Sequence, residues 1–214
     1  MKLMKIALRF FAIFSIVYAV LIIPQMNIGE VYSRFIRTQG EMLFGDFGNK
    51  GRVEFEANPK EENKWEYRNR MLLTNRQKYE HAQKSGAGYQ MAKVYLSWYF
   101  DYLPSALLFS LIIATPIAFR RKILALIVGL TLLHLYIAFM LLVTLLFKFH
   151  SYPTLDVVSL NSFWNSIVEF IYPVVAVNPG TSVFVVITIW IMVCFRTQDL
   201  SQLVNRVKIK TIGE

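Results

Sequence analysis

Hydrophobic positions in this chain follow two kinds of pattern. Four stretches are apolar on every face: residues 6–23, 102–119, 123–147 and 174–195. At ~1.5 Å rise per residue, each approaches or exceeds what a helix needs to cross a hydrocarbon core of about 30 Å. Between the first and second lies a polar insert where apolar residues alternate instead. Over 52–57, Val53, Phe55 and Ala57 fall on one side and Arg52, Glu54 and Glu56 on the other. Residues 58–63, Asn-Pro-Lys-Glu-Glu-Asn, carry a turn signal. Alternation resumes over 64–74 with Trp65, Tyr67, Met71 and Leu73 in phase. The period of two predicts a β-hairpin over 52–74 with one apolar face. A lone hairpin is marginal in water, so a further strand or a helix is expected against it. Residues 29–43 are the candidate helix, through Val31, Phe35 and Leu43.

These elements predict a mainly α membrane protein with four transmembrane helices. A small extracytoplasmic α+β insert, built on the β-hairpin, separates the first and second spans. The expected organisation is a signal-anchor helix over 1–26, the insert over 27–101, and a transmembrane helical hairpin over 102–147. An outer loop follows over 148–172, then a kinked transmembrane helix over 173–196 and a cytoplasmic tail over 197–214. The second and third stretches are joined by Phe119-Arg120-Arg121-Lys122, too short for anything but an antiparallel pair. Ala125 and Gly129, four apart, offer the third helix a small-residue contact face. Residues 23–26 lack a small-x-small cleavage site, so the first stretch reads as an uncleaved anchor.

Charge gives the pattern a direction. The chain carries 23 Lys+Arg against 14 Asp+Glu, a net charge of +9. The insert is nearly balanced, with 12 basic and 10 acidic residues, whereas the N-terminus, the turn at 120–122 and the tail from 196 together hold 10 basic and 2 acidic. Four crossings put those three sites on one side. The positive-inside bias therefore reads both termini as cytoplasmic and the insert as extracytoplasmic in a bacterial-type inner membrane. A balanced insert argues against a nucleic-acid partner.

Candidate chemistry is sparse. No phosphate loop, His-Glu-x-x-His, Gly-x-Ser-x-Gly or metal-spaced Cys/His set occurs, so no catalytic residue, metal or cofactor is expected. The single cysteine, Cys194, falls at the cytoplasmic end of the last stretch and reads as a buried thiol rather than a nucleophile. His134 is the one ionisable group near a span centre, read as a neutral imidazole bonded to a neighbouring helix against the rival of a proton relay. Asn178-Pro179-Gly180 interrupts the last stretch. It predicts a kink or a short unwound segment, the feature that transporters use to expose backbone groups. Over 162–172 the apolar spacing predicts an interfacial helix. Tyr95, Trp98, Tyr99 and Tyr102 form an aromatic stripe at helical spacing, read as an anchor at the headgroup level. On the hairpin, Phe55, Trp65 and Tyr67 are the candidate contacts for a partner or an exported substrate.

The run Tyr102-Leu103-Pro104-Ser105-Ala106-Leu107-Leu108, leading through Ala114-Thr115-Pro116 to the basic turn, resembles the small membrane proteins associated with H-type exosortase systems. The order of elements is similar over most of the chain, and the residue texture over 102–129. The resemblance implies accessory service to a membrane protein-sorting peptidase. It supplies no catalytic residue. The function expected is that of a non-enzymatic accessory or assembly protein that contacts the lipid bilayer and a membrane protein partner. The alternative is a small transporter or channel subunit using the Asn178-Pro179-Gly180 break.

Overall fold

The computed structural model describes residues 2–23, 28–58, 67–97 and 102–195. Its elements in chain order are α1 (Lys2–Ile22), α2 (Ile28–Phe44), β1 (Asp46–Phe47), β2 (Gly51–Ala57), β3 (Tyr67–Asn75) and α3 (Arg76–Ser85). They continue with β4 (Met91–Ser97), α4 (Tyr102–Ala114), α5 (Phe119–Ser151), α6 (Ser162–Tyr172), a π turn (Pro173–Val177) and α7 (Pro179–Cys194). The fold is mostly helical with one small antiparallel sheet.

Among the described residues, two helices are long and apolar enough to cross a membrane unaided, α1 and α5, or three if the bent pair α6–α7 counts as one span. The expected second span is shorter than the apolar run. Its helix ends at Ala114 because Pro116 cannot supply an amide donor, and Thr115 turns its hydroxyl back onto the Leu111 carbonyl at 2.6 Å. The expected third span is longer: α5 has 33 residues and a length of about 50 Å. The expected last span also changes. Residues 174–177 continue α6 as a π turn, and the chain then bends by 78° into α7, which has 16 residues.

The sheet has the order β1-β2-β3-β4. The predicted hairpin is present, with Val53 opposite Leu73 and Phe55 opposite Met71. β4 adds the further strand, setting Val94 opposite Met71 and Ala92 opposite Leu73. All six of these residues are buried. The opposite face carries charge, including the cross-strand pair Arg70–Glu56 at 2.8 Å. α2 covers the apolar face, but not in the expected phase. Gly29, Ser33, Ile36 and Gly40 are buried, while Val31, Phe35 and Leu43 are exposed. Residues 76–85 form a helix that the polar sequence concealed. Asn75 caps it by accepting from the Lys78 amide, and Gly86 closes it at φ 68°.

One continuous core joins the sheet to the long helix. Val53, Met71 and Val94 from the sheet belong to the same buried cluster as Leu133, Ile137, Leu145 and Phe149 of α5. Phe47 of β1 stacks on Phe149, with ring centroids 5.2 Å apart. The segment after α5 is tied in as well, because the buried Asn75 amide donates to the Leu155 carbonyl at 2.8 Å. At the other end of α5, Ala125 and Gly129 do form a contact face. A Cβ on Gly129 would sit 3.3 Å from Ile112 of α4 and 3.7 Å from Ile189 of α7.

The turn before α5 gathers the helix ends. Arg121 donates to the Cys194 carbonyl at 3.1 Å, and Lys122 to the Ile113 carbonyl. Phe10 of α1 lies 6.0 Å from Trp190 of α7, centroid to centroid. The C-termini of α4 and α7, the N-terminus of α5 and the N-terminal half of α1 therefore share one end of the bundle. The sheet lies toward the opposite end.

Candidate functional site

Three features meet where the sheet and α2 join the apolar helices. The first is a polar chain. Tyr32 on α2 places its hydroxyl 2.5 Å from Ser105 Oγ on α4 and 3.3 Å from His134 Nε2 on α5. His134 Nδ1 lies 2.7 Å from the Leu130 carbonyl. A carbonyl only accepts, so Nδ1 carries a proton. Where Nε2 carries no proton it accepts from Tyr32, and Ser105 then donates to Tyr32. The expectation that His134 bonds a neighbouring helix fits this geometry, with the partner helix coming from the insert. Its expected depth changes, because His134 lies beside the first turn of α4 and not midway along the apolar bundle. Phe35 closes the site with its ring edge-on to the imidazole, centroids 5.4 Å apart.

The second feature is the break at Asn178-Pro179-Gly180. Asn178 caps α7 by accepting from the Gly180 amide at 2.9 Å, and Pro179 occupies the first helical turn, where its missing donor costs nothing. Three carbonyls at the bend have protein partners. Pro173 accepts from the Asn178 amide at 3.1 Å, Val174 from Thr181 Oγ1 at 2.7 Å, and Val175 from the Tyr136 hydroxyl at 3.4 Å. Tyr136 also lies 3.4 Å from the buried Ser182 hydroxyl.

The third feature is a cavity of about 230 Å³ between β4, α2, α5 and the end of α6 with its π turn. Its walls are mainly apolar. Thr144, the polar residue that α5 contributes, donates to the Met140 carbonyl one turn back at 2.8 Å.

Several residues read as surface contacts lie elsewhere. Phe55 is buried in the sheet core, its ring filling the space left by Gly40 of α2, so it presents no partner surface. Tyr67 opens β3 opposite Ser97. Trp65, Trp98 and Tyr99 lie outside the described residues. The helical aromatic stripe does not run from Tyr95, because Tyr95 stands on β4, where the repeat is two and not 3.6. Tyr102 is buried at the start of α4 and donates its hydroxyl to the Leu21 carbonyl of α1. It ties two helices together in place of reaching outward. Cys194 is buried at the end of α7. Among the described residues, no group of three or more His, Cys, Asp or Glu side chains is placed to hold a metal ion.

Tyr32, Ser105, Tyr136 and Ser182 were not singled out in the sequence. For Tyr32 a signal existed, since it neighbours the small-residue face Gly29, Ser33 and Gly40. The other three are ordinary hydroxyls in apolar runs. The chain matches no protein-family model, no curated protein and no solved structure.

Proposed function

We propose that this chain is a non-enzymatic, multi-span accessory protein of a bacterial-type inner membrane, and that its extracytoplasmic insert holds a contact surface for a membrane-protein partner or an exported substrate. The observation that carries this reading is the continuous core between the sheet and α5. An insert packed into its own spans has a fixed height and orientation, which suits presentation of a surface. The contact is assigned to the hairpin end around Trp65 and Tyr67.

Four crossings are part of the proposal: α1, α4, α5 and α7, with α6 lying along the extracytoplasmic face. The shared end of the bundle that holds Arg120, Arg121 and Lys122 is the cytoplasmic end, as the positive-inside bias requires. The partner that the exosortase-system resemblance suggests is a protein-sorting peptidase. Transport through the Asn178 break is the weaker reading, because the carbonyls of Pro173, Val174 and Val175 are already engaged by protein donors.

The test is co-purification in mild detergent followed by mass spectrometry, comparing the wild type with a Trp65→Ala/Tyr67→Ala double variant. Loss of a specific membrane protein from the variant, with unchanged thermal stability, is the expected result. Equal recovery from a folded variant would remove the hairpin end as the contact. Proton or solute flux in vesicles that disappears in Asn178→Ala would favour transport instead.

A further inference from the structure

The α6–π segment divides its residues among three faces. Phe163, Ile167, Phe170, Val174 and Val177, spaced by three or four, form one apolar stripe, and Phe170 is 77% exposed. Val168, Ile171 and Val175 form a second stripe, buried or half-buried against the body of the protein. Ser162, Asn165, Ser166 and Glu169 form the third, and it is polar. With the segment bent by 78° from α7, an in-plane position satisfies all three faces at once: hydrocarbon below, protein beside, water above.

The stripe leads to the cavity. Val177 is the last residue of the stripe, more than half exposed, and it is also a cavity wall. Behind it stand Ile36, Val94, Leu96, Ile137 and Leu141. Val177 is thus the residue that the exposed stripe and the cavity share. Apolar cavities of about 150 Å³ stay dry and take small hydrocarbons, so one of 230 Å³ has room for a run of methylenes. The lining is mixed, with Tyr95, Ser97, Thr144 and Tyr172 beside the aliphatic residues, and a hydrocarbon chain asks no hydrogen bond of the aliphatic part.

We propose that this cavity is a slot for one acyl chain of an outer-leaflet phospholipid, entered past Val177. The slot rests on the reading of α6 as an in-plane helix on the extracytoplasmic face. The lipid would lock the sheet against α5 and the π turn, so that the bilayer itself completes the insert's packing.

The experiment uses the full chain in phosphatidylcholine vesicles doped with a phosphatidylcholine carrying a diazirine on one acyl chain. After photolysis, the crosslinked residues are mapped by mass spectrometry. Crosslinks are expected on the stripe at Phe163 and Phe170, and also on the cavity walls at Val94, Met140 and Leu141. Filling the slot with Ala176→Phe, or from the α5 side with Thr144→Met, should lower wall labelling at least tenfold and leave stripe labelling unchanged. Protection of Cys194 from maleimide reports that each variant is folded. Stripe labelling without wall labelling overturns the slot and keeps the in-plane helix. Wall labelling that persists in both folded variants overturns the slot as well. Wall labelling without stripe labelling refutes the in-plane helix and with it entry past Val177.

Discussion

Gly40→Val tests whether the insert and the spans are one cooperative body. Gly40 faces the Phe55 ring so closely that an added Cβ would lie 2.5–2.8 Å from three of its carbons. Phe55 is buried, so relief of the clash requires its ring to leave the core. Overpacking of this kind costs about 1–3 kcal/mol. Replacing a helical glycine by valine returns roughly 0.4 kcal/mol of helix propensity. The net loss should be about 0.6–2.6 kcal/mol, or a fall in Tm of roughly 1–10 °C for a chain of this size. The assay is thermal unfolding in detergent, followed by a thiol-reactive dye at Cys194, which is the only cysteine and is buried at the far end of the bundle. Because the core is continuous, loosening at Gly40 should expose Cys194 at a lower temperature. Phe55→Leu should be destabilising alone and less so beside Gly40→Val, with a coupling of about 1 kcal/mol. If the Cys194 transition stays put while the sheet's circular dichroism is lost early, the insert unfolds separately and the one-body reasoning fails. Additive costs in the double variant would refute the steric account.

Three further outcomes follow from single contacts. Trp190→Phe removes the indole donor to the buried Thr115 hydroxyl at 2.8 Å and should cost about 0.6–1.5 kcal/mol, read as a lower Tm in the same dye assay. Ser33→Ala should be neutral or slightly stabilising in that assay, since Ser33 Oγ is buried and finds no partner among the described residues. Asn75→Ala should cost about 2–3 kcal/mol, because one side chain both caps α3 and donates to the Leu155 carbonyl. Faster proteolysis between residues 152 and 161 in this variant would place the loss at that tie, whereas an unchanged cleavage pattern would argue against it.

The hairpin was legible because alternation over 52–57 and 67–74 repeats every two residues and puts Val53, Phe55, Met71 and Leu73 on one face, with Leu72 the apolar residue that falls among the charges. The buried face of α2 was not, because close approach there uses Gly29, Ser33 and Gly40, which carry no hydrophobic signal. The visible Val31, Phe35 and Leu43 are exposed. α3 is charged nearly all round, and only its caps Asn75 and Gly86 announce it. Hydropathy also cannot place a bend inside an apolar run, so residues 174–177 read as part of the last span although they continue α6. Their direction is set by the cap at Asn178 and by Pro179. The site itself was the least legible part. Tyr32 and His134 are 102 residues apart, and nothing local to either residue signals the other.

The basic turn that gave the sequence its direction also sets the depth of the site. Helix C-termini leave carbonyls without partners and carry partial negative charge. Arg121 answers this at α7 and Lys122 at α4, so both helices end at the level where α5 begins. Measured from that common floor, the 13 residues of α4 rise about 20 Å and the 16 of α7 about 24 Å. Along α5, His134 stands about 22 Å above Phe119 and Tyr136 about 26 Å. The two polar pairings, His134 with Tyr32 and Ser105, and Tyr136 with Ser182, therefore fall where the short helices stop. Above that level α5 continues alone, and α2, the sheet and the α6–π segment take over its packing. Hydroxyl and imidazole groups at such a rim meet each other where the apolar bundle gives way to the insert. They join the two layers at a height fixed from below by the same two basic side chains.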